Sequence, residues 1–174
     1  MMTRAEIEKW KERINQRSKV KFPVILLENT LNENRGEFYD SIEIAKFISY
    51  TLPEHRDEAT KIYLDVLTKE NIQAELMKIK AHKESIFHQD EEVEQLVESI
   101  VFGCYTACQC FRQNEDLDRA FEFIKLAIQV VEEQGSGLGC LRKGDLYYTK
   151  WRILEELGKE CELVDEIDRL LFTE

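Results

Sequence analysis

Residues 91–133, EEVEQLVESIVFGCYTACQCFRQNEDLDRAFEFIKLAIQVVEE, decide how the rest of the chain is read. Apolar side chains fall at Val93, Leu96, Val97, Ile100, Val101, Cys104, Cys108 and Phe111. Steps of three and four keep them on one face of an α-helix. Asp90 suits an N-cap, and Glu91 and Glu92 suit the positive end of the helix dipole. The pattern repeats at Leu117, Ala120, Phe121, Ile124, Ala127, Ile128 and Val131, with Gly135 just past the end, where a left-handed residue is favoured. Asn114 and Asp116 carry turn chemistry between the two stretches. So short a connection predicts two antiparallel helices in contact.

Working outward, the sequence predicts helices over 3–17, 20–31, 37–52, 54–69, 71–88, 145–157 and 160–172. In the first, Thr3 and Glu6 form a capping-box pattern, and Ile7, Trp10 and Ile14 share a face. Its other faces are basic, and Trp10 would dock it on the body or on a partner. Residues 20–31 begin β-branched, but no second strand is available to pair with them, so a short buried helix is expected, followed by a loop at 32–36. Pro53 ends one helix and suits the first turn of the next. The stretch 135–144, GSGLGCLRKG, reads as a flexible linker.

The central pair resembles a tetratricopeptide repeat, a helical hairpin of about 34 residues. Cys108, Phe111, Ala120, Ile124 and Ala127 stand at that family's spacing of small, aromatic, small, apolar and small residues, in a unit beginning at Val101. Cys104 and Ala107 depart from the bulkier residues the family prefers. A second unit beginning at Gly144 places Trp151, Leu154, Leu163, Ile167 and Leu170 in register, 43 residues later. Trp151 departs, because a bulky ring there would push the helices apart. Ala59, Tyr63 and Val66 echo the second-helix spacing, but the helix before them fits only loosely. The resemblance implies an all-α chain of antiparallel hairpins stacked as a short, right-handed array. The whole of 1–174 would form one helical domain, with 1–35 an N-terminal appendage, 36–174 the body and the last helix capping the stack.

Composition agrees with a soluble helical protein: hydrophobic residues make up 43% and charged residues 34%, with only two prolines to interrupt helices. The longest apolar run, Phe22–Leu27, is far shorter than the roughly 20 residues of a membrane span. Five cysteines without paired spacing read as buried thiols in a reducing compartment, so the expected location is the cytoplasm. Net charge is −11; residues 1–21 carry seven Lys and Arg against three Glu, which leaves a strongly acidic remainder. That balance disfavours nucleic-acid phosphate and favours a basic partner.

Chemistry is harder to find than packing. Cys104 and Cys108 share a face while Cys110 points away, so three thiolates cannot converge on a metal from one helix. His55, His82 and His88 form no catalytic or zinc-binding pattern. GSGLG at 135–139 follows a helix, whereas phosphate-binding turns follow a strand. No cofactor, metal or enzymatic activity is expected.

What remains is a surface. The family holds a peptide or helix along the inner face of its first helices, and the resemblance places that face on Phe102, Tyr105, Gln109, Arg112 and Gln113, then on Asp145, Tyr148, Arg152, Glu155 and Glu156. Aromatic residues beside Arg are a common interface composition. The family's Lys and Asn clamp for a terminal carboxylate is not matched, since Tyr105 and Gln109 stand in its place. The same aromatics would serve equally to pack on neighbouring helices. The expected function is non-catalytic binding of a partner protein or peptide, of the adaptor, secretion-chaperone or toxin-immunity kind. A second copy of the chain is left open as a partner. The alternative is a regulator that senses a small ligand or peptide.

Overall fold

The computed structural model describes residues 1–17, 27–31, 35–85, 90–134 and 143–172. Among them every regular element is helical and no strand occurs. The helices are α1 (Arg4–Arg17), α2 (Glu37–Thr51), α3 (Arg56–Val66), α4 (Lys69–Ser85), α5 (Asp90–Gln113), α6 (Leu117–Gln134), α7 (Lys143–Glu156) and α8 (Glu160–Phe172). Residues 27–31 are also helical and bury Leu27 and Leu31, as expected for the end of the 20–31 helix. Residues 20–26 of that helix, 32–34 of the loop, 86–88 and most of the 135–144 linker lie outside the described residues.

Several boundaries differ from the sequence reading. Pro53–His55 forms a 3-10 turn, so α3 starts at Arg56, two residues late. α3 also stops at Val66, because Thr68 opens α4 by accepting from the Asn71 amide (3.1 Å). The Asn71 side chain donates back to the Asp65 and Val66 carbonyls, so Asn71 closes the end of α3 while the Thr68 hydroxyl caps the start of α4. α7 begins at Lys143, which brings Gly144, read as linker, into its first turn.

The capping box at the start of α1 is formed. The Thr3 amide donates to Glu6 Oε2 (2.8 Å) and the Glu6 amide to Thr3 Oγ1 (3.3 Å). The Thr3 amide and hydroxyl, both donating to Glu6 Oε2, hold the Glu6 carboxyl below its usual range. Ile7 and Ile14 are buried against α2, and the Trp10 ring meets His55 edge-on at 5.4 Å. Of the two docking places left open for α1, the body is the one occupied.

α5 lies at the centre. It packs most extensively on α6 and also touches α2, α3 and α4; α6 then packs on α7, and α7 on α8. From Ile100 to Phe111 nearly every turn of α5 is buried on more than one side. Gly103, Thr106, Ala107 and Cys110 are buried as well as the expected stripe, because α2 and α3 cover the face that the stripe leaves open. On α6, Phe123 and Val130 are buried while Phe121 is only half-buried. This helix is packed on two sides, which widens its apolar face; Phe123 stacks on Phe111 at 5.3 Å.

Two contacts fix how α2 and α3 meet α5. A Cβ on Gly103 would lie 2.9 Å from Ile42 Cγ2, so α2 and α5 approach as closely as a glycine permits. The Tyr63 hydroxyl donates to Thr106 Oγ1 (3.1 Å), and Thr106 donates to the Gly103 carbonyl (3.0 Å). Tyr63 is fully buried, and that burial pushes its phenol well above its usual pKa.

The α5–α6 and α7–α8 corners are the same structure. In the first, the Asp116 amide bonds to the Phe111 carbonyl and the Glu115 amide to that of Arg112. In the second, the Lys159 amide bonds to Leu154 and the Gly158 amide to Glu155. Both are Schellman turns with one left-handed residue, Glu115 (φ 60°) or Gly158 (φ 71°). The expectation that α8 caps the stack is not met. α8 buries no residue and leaves Val164, Leu170, Leu171 and Phe172 exposed, whereas a capping helix presents a polar outer face.

Two stability measurements check these contacts. Gly103→Ala gains about 1 kcal/mol of helix propensity, against about 1–3 kcal/mol of overpacking on Ile42. A net loss of about 1 kcal/mol is expected in urea titration, with the losses of Gly103→Ala and Ile42→Ala less than additive. Thr106→Ala strands the buried Tyr63 hydroxyl and is expected to lose about 2 kcal/mol, against about 1 kcal/mol for Tyr63→Phe, which leaves Thr106 its Gly103 bond.

Candidate functional site

Burial on several sides leaves the second half of α5 a single line of contact with solvent. Between Ile100 and Gln113 the residues not buried are Phe102, Tyr105, Gln109, Arg112 and Gln113. They recur every three or four residues, so they form one strip along the helix. These are the α5 positions that the resemblance assigned to partner binding. Asp145, Tyr148, Arg152, Glu155 and Glu156 are likewise the exposed strip of α7.

α2 adds a strip that sequence reasoning missed. Glu43, Lys46 and Tyr50 are its uncovered positions along the middle and end, again three and four apart. Lys46 Nζ sits 5.2 Å from the Phe102 ring centroid and pairs with Glu43 at 2.6 Å. Tyr50 is 64% exposed, and its phenol is raised by partial desolvation, with Tyr105 and Cys110 close enough to add to the shift. Arg35 just before α2 meets Ser99, and Lys46 further along meets Phe102, so α2 and α5 run side by side in the same direction. The signal was present in Phe47–Tyr50, but this helix fits the repeat spacing only loosely, so no inner face was assigned to it.

Phe102 and Tyr105 lie 6.4 Å apart with rings tilted by 30°. Beside them a shallow cleft of about 240 Å³ is lined by Arg35, Glu43, Gln95, Glu98, Ser99 and Phe102. Arg35 reaches across it to Ser99 Oγ (2.9 Å). A second cleft of about 310 Å³ lies between α2, α4 and α5, where Tyr39, Glu75, Lys78, His82 and Glu92 meet Arg35. The Tyr39 hydroxyl there is buried beside Glu75 without a hydrogen bond of full geometry; desolvation and the neighbouring Glu75 raise its pKa.

The two arginines of the strips are engaged within the chain. Arg112 Nε donates to both Glu156 oxygens (3.1 and 3.2 Å), and its Nη2 also meets Glu156. This pairing raises the Arg112 pKa and holds the Glu156 carboxyl below its usual range. It ties the end of α5 to the end of α7. Arg152 pairs with Glu155 one turn away (2.7 Å). Tyr148 is 62% exposed, and no ring contact joins it to Phe102 or Tyr105. The α2 and α5 strips are thus brought together, and the α7 strip joins them through Arg112.

The three thiols of α5 offer little reactivity. Burial pushes Cys104 and Cys108 up to about 12 and Cys110 up to about 11. The four cysteines among the described residues are free, and no cluster of metal ligands occurs among those residues. No described helix is long and apolar enough to cross a membrane. Together these define an all-α protein of several packed helices with a partly exposed aromatic strip on its central helix. No known family, curated protein or solved structure matches the chain.

Arg112→Ala is expected to lower stability by about 1 kcal/mol at neutral pH, since the pair is charge-assisted and under a third exposed. Glu156 is depressed in the folded state. Its contribution is therefore complete above the ordinary glutamate range and lost as pH falls through the depressed value. Urea titrations of both proteins should converge in acid; a difference that persists there would mean that Arg112 acts through packing.

Proposed function

We propose that the chain is a non-catalytic interaction module that holds a segment of a partner protein along the strips of α2 and α5. In this reading α2–α3, α5–α6 and α7–α8 are hairpins of a short, degenerate, right-handed tetratricopeptide-like array. The matched Schellman turns support it, since Glu115 and Gly158 stand 43 residues apart, the offset of the two repeat-like units. The parallel course of α2 and α5 supports it too. The observation that carries the reading is the uncovered line Phe102–Tyr105 on the otherwise enclosed second half of α5, flanked by exposed Tyr50. Rigid aromatics at low entropic cost suit a binding surface.

The partner segment is basic, matched to the acidic body, and the thiols suit a reducing cytoplasm. The role is that of an adaptor, chaperone or immunity protein. Capture from the native cell extract tests it with wild-type chain and with Tyr50→Ala/Tyr105→Ala. The wild type is expected to retain one stoichiometric protein and the variant to lose it while keeping its helical spectrum. Repeated recovery of the wild-type chain alone would overturn the reading.

A second reading, a regulator sensing a small polar ligand, is favoured by one observation: the buried Tyr39 hydroxyl, held beside Glu75 without a hydrogen bond of full geometry, at the cleft of Arg35, Glu75, Lys78 and Glu92. A thermal-shift screen of metabolites and short peptides addresses it, because a ligand bound to the folded state raises Tm.

A further inference from the structure

We propose that the outward face of α8 is a docking surface for a basic amphipathic helix of a partner protein, separate from the strips on α2 and α5. Leu163, Val164, Ile167, Leu170 and Leu171 are spaced by three, four and seven, which gathers them on one broad face of α8. α7, the main neighbour of α8, covers only one edge of that face. Leu163 and Ile167 are half-buried there, while Val164 and Leu171 remain 56% and 69% exposed and Phe172 78%. A contiguous apolar surface of this kind marks a place where another chain sits.

Charge decides which chain. α8 carries five carboxylates and one arginine. Glu160 and Asp168 stand one turn before and one turn after Val164, at the border of the exposed face. A second copy docking α8 on α8 would bring two acidic helices together, and an anionic lipid surface would be repelled in the same way. A partner helix with an apolar stripe bordered by Lys and Arg satisfies both the stripe and its rim. The surface stands independently of the aromatic strips, since no contact described links them.

The test uses the full chain and a labelled helical peptide of Leu and Lys, apolar at i, i+3, i+4 and i+7, read by fluorescence anisotropy. Binding is expected, weakening as salt rises. Leu171→Asp should lower affinity by roughly tenfold or more and Asp168→Lys should also weaken it, both with unchanged helical spectra, as expected for exposed positions. The same peptide with Glu in place of Lys should not bind. Tyr50→Ala/Tyr105→Ala should bind the Leu–Lys peptide as the wild type does, which separates this surface from the aromatic strips. Undiminished binding by Leu171→Asp, equal binding of the Glu peptide, or loss in the Tyr50/Tyr105 variant would overturn the proposal. So would a dimer in sedimentation equilibrium that Leu171→Asp dissociates, or binding to phospholipid vesicles that the same change removes.

Discussion

The close approach of helices around α5 is the constraint from which the rest follows. Four helices pack on it, and such crossings tolerate only small side chains where backbones are nearest. Gly103, Cys104, Ala107 and Cys108 occupy those places, with Ala120 and Ala127 opposite on α6. This accounts for the cysteines more simply than metal or redox chemistry does. A thiol is a small apolar filler in a buried helix, and burial keeps it protonated. The Tyr63–Thr106–Gly103 chain of hydrogen bonds adds direction to a contact that apolar packing alone would leave free to slide.

Enclosure of one helix also determines where a surface can be. A helix covered on several sides can reach solvent only along one line, and on the second half of α5 that line is Phe102, Tyr105, Gln109 and Arg112. α2 is enclosed in the same way and opens along Glu43, Lys46 and Tyr50. Parallel alignment sets these lines beside one another, so an exposed tyrosine, a half-buried aromatic pair and a lysine converge without any loop to position them. Sites carried on helices in this way are held by the core itself.

Helix existence was legible from periodicity, because steps of three and four leave no alternative over stretches this long. Boundaries were less legible where a cap decides them. The Asn71 side chain ends α3 and the Thr68 hydroxyl starts α4, and nothing in apolar spacing records either. Single-face periodicity also understated burial on α5 and α6, since a helix packed on two or three sides hides its polar and small residues as well. The α5 strip was legible through a resemblance; the α2 strip was not, for that helix matches the pattern poorly. Arg112 is the instructive case. Its position pointed to a partner, but its guanidinium is occupied by Glu156 from α7, and pairing across helices cannot be read from one helix's spacing.

The buried thiols carry a practical corollary for handling the protein. Among the described cysteines only Cys161 faces solvent in the folded chain, and it is the one of these four open to oxidation in air. Heat or denaturant releases Cys104, Cys108 and Cys110 at once, and their acidities return to that of an ordinary thiol. Crosslinking then competes with refolding, and reversibility becomes a property of the reductant in the buffer as much as of the chain.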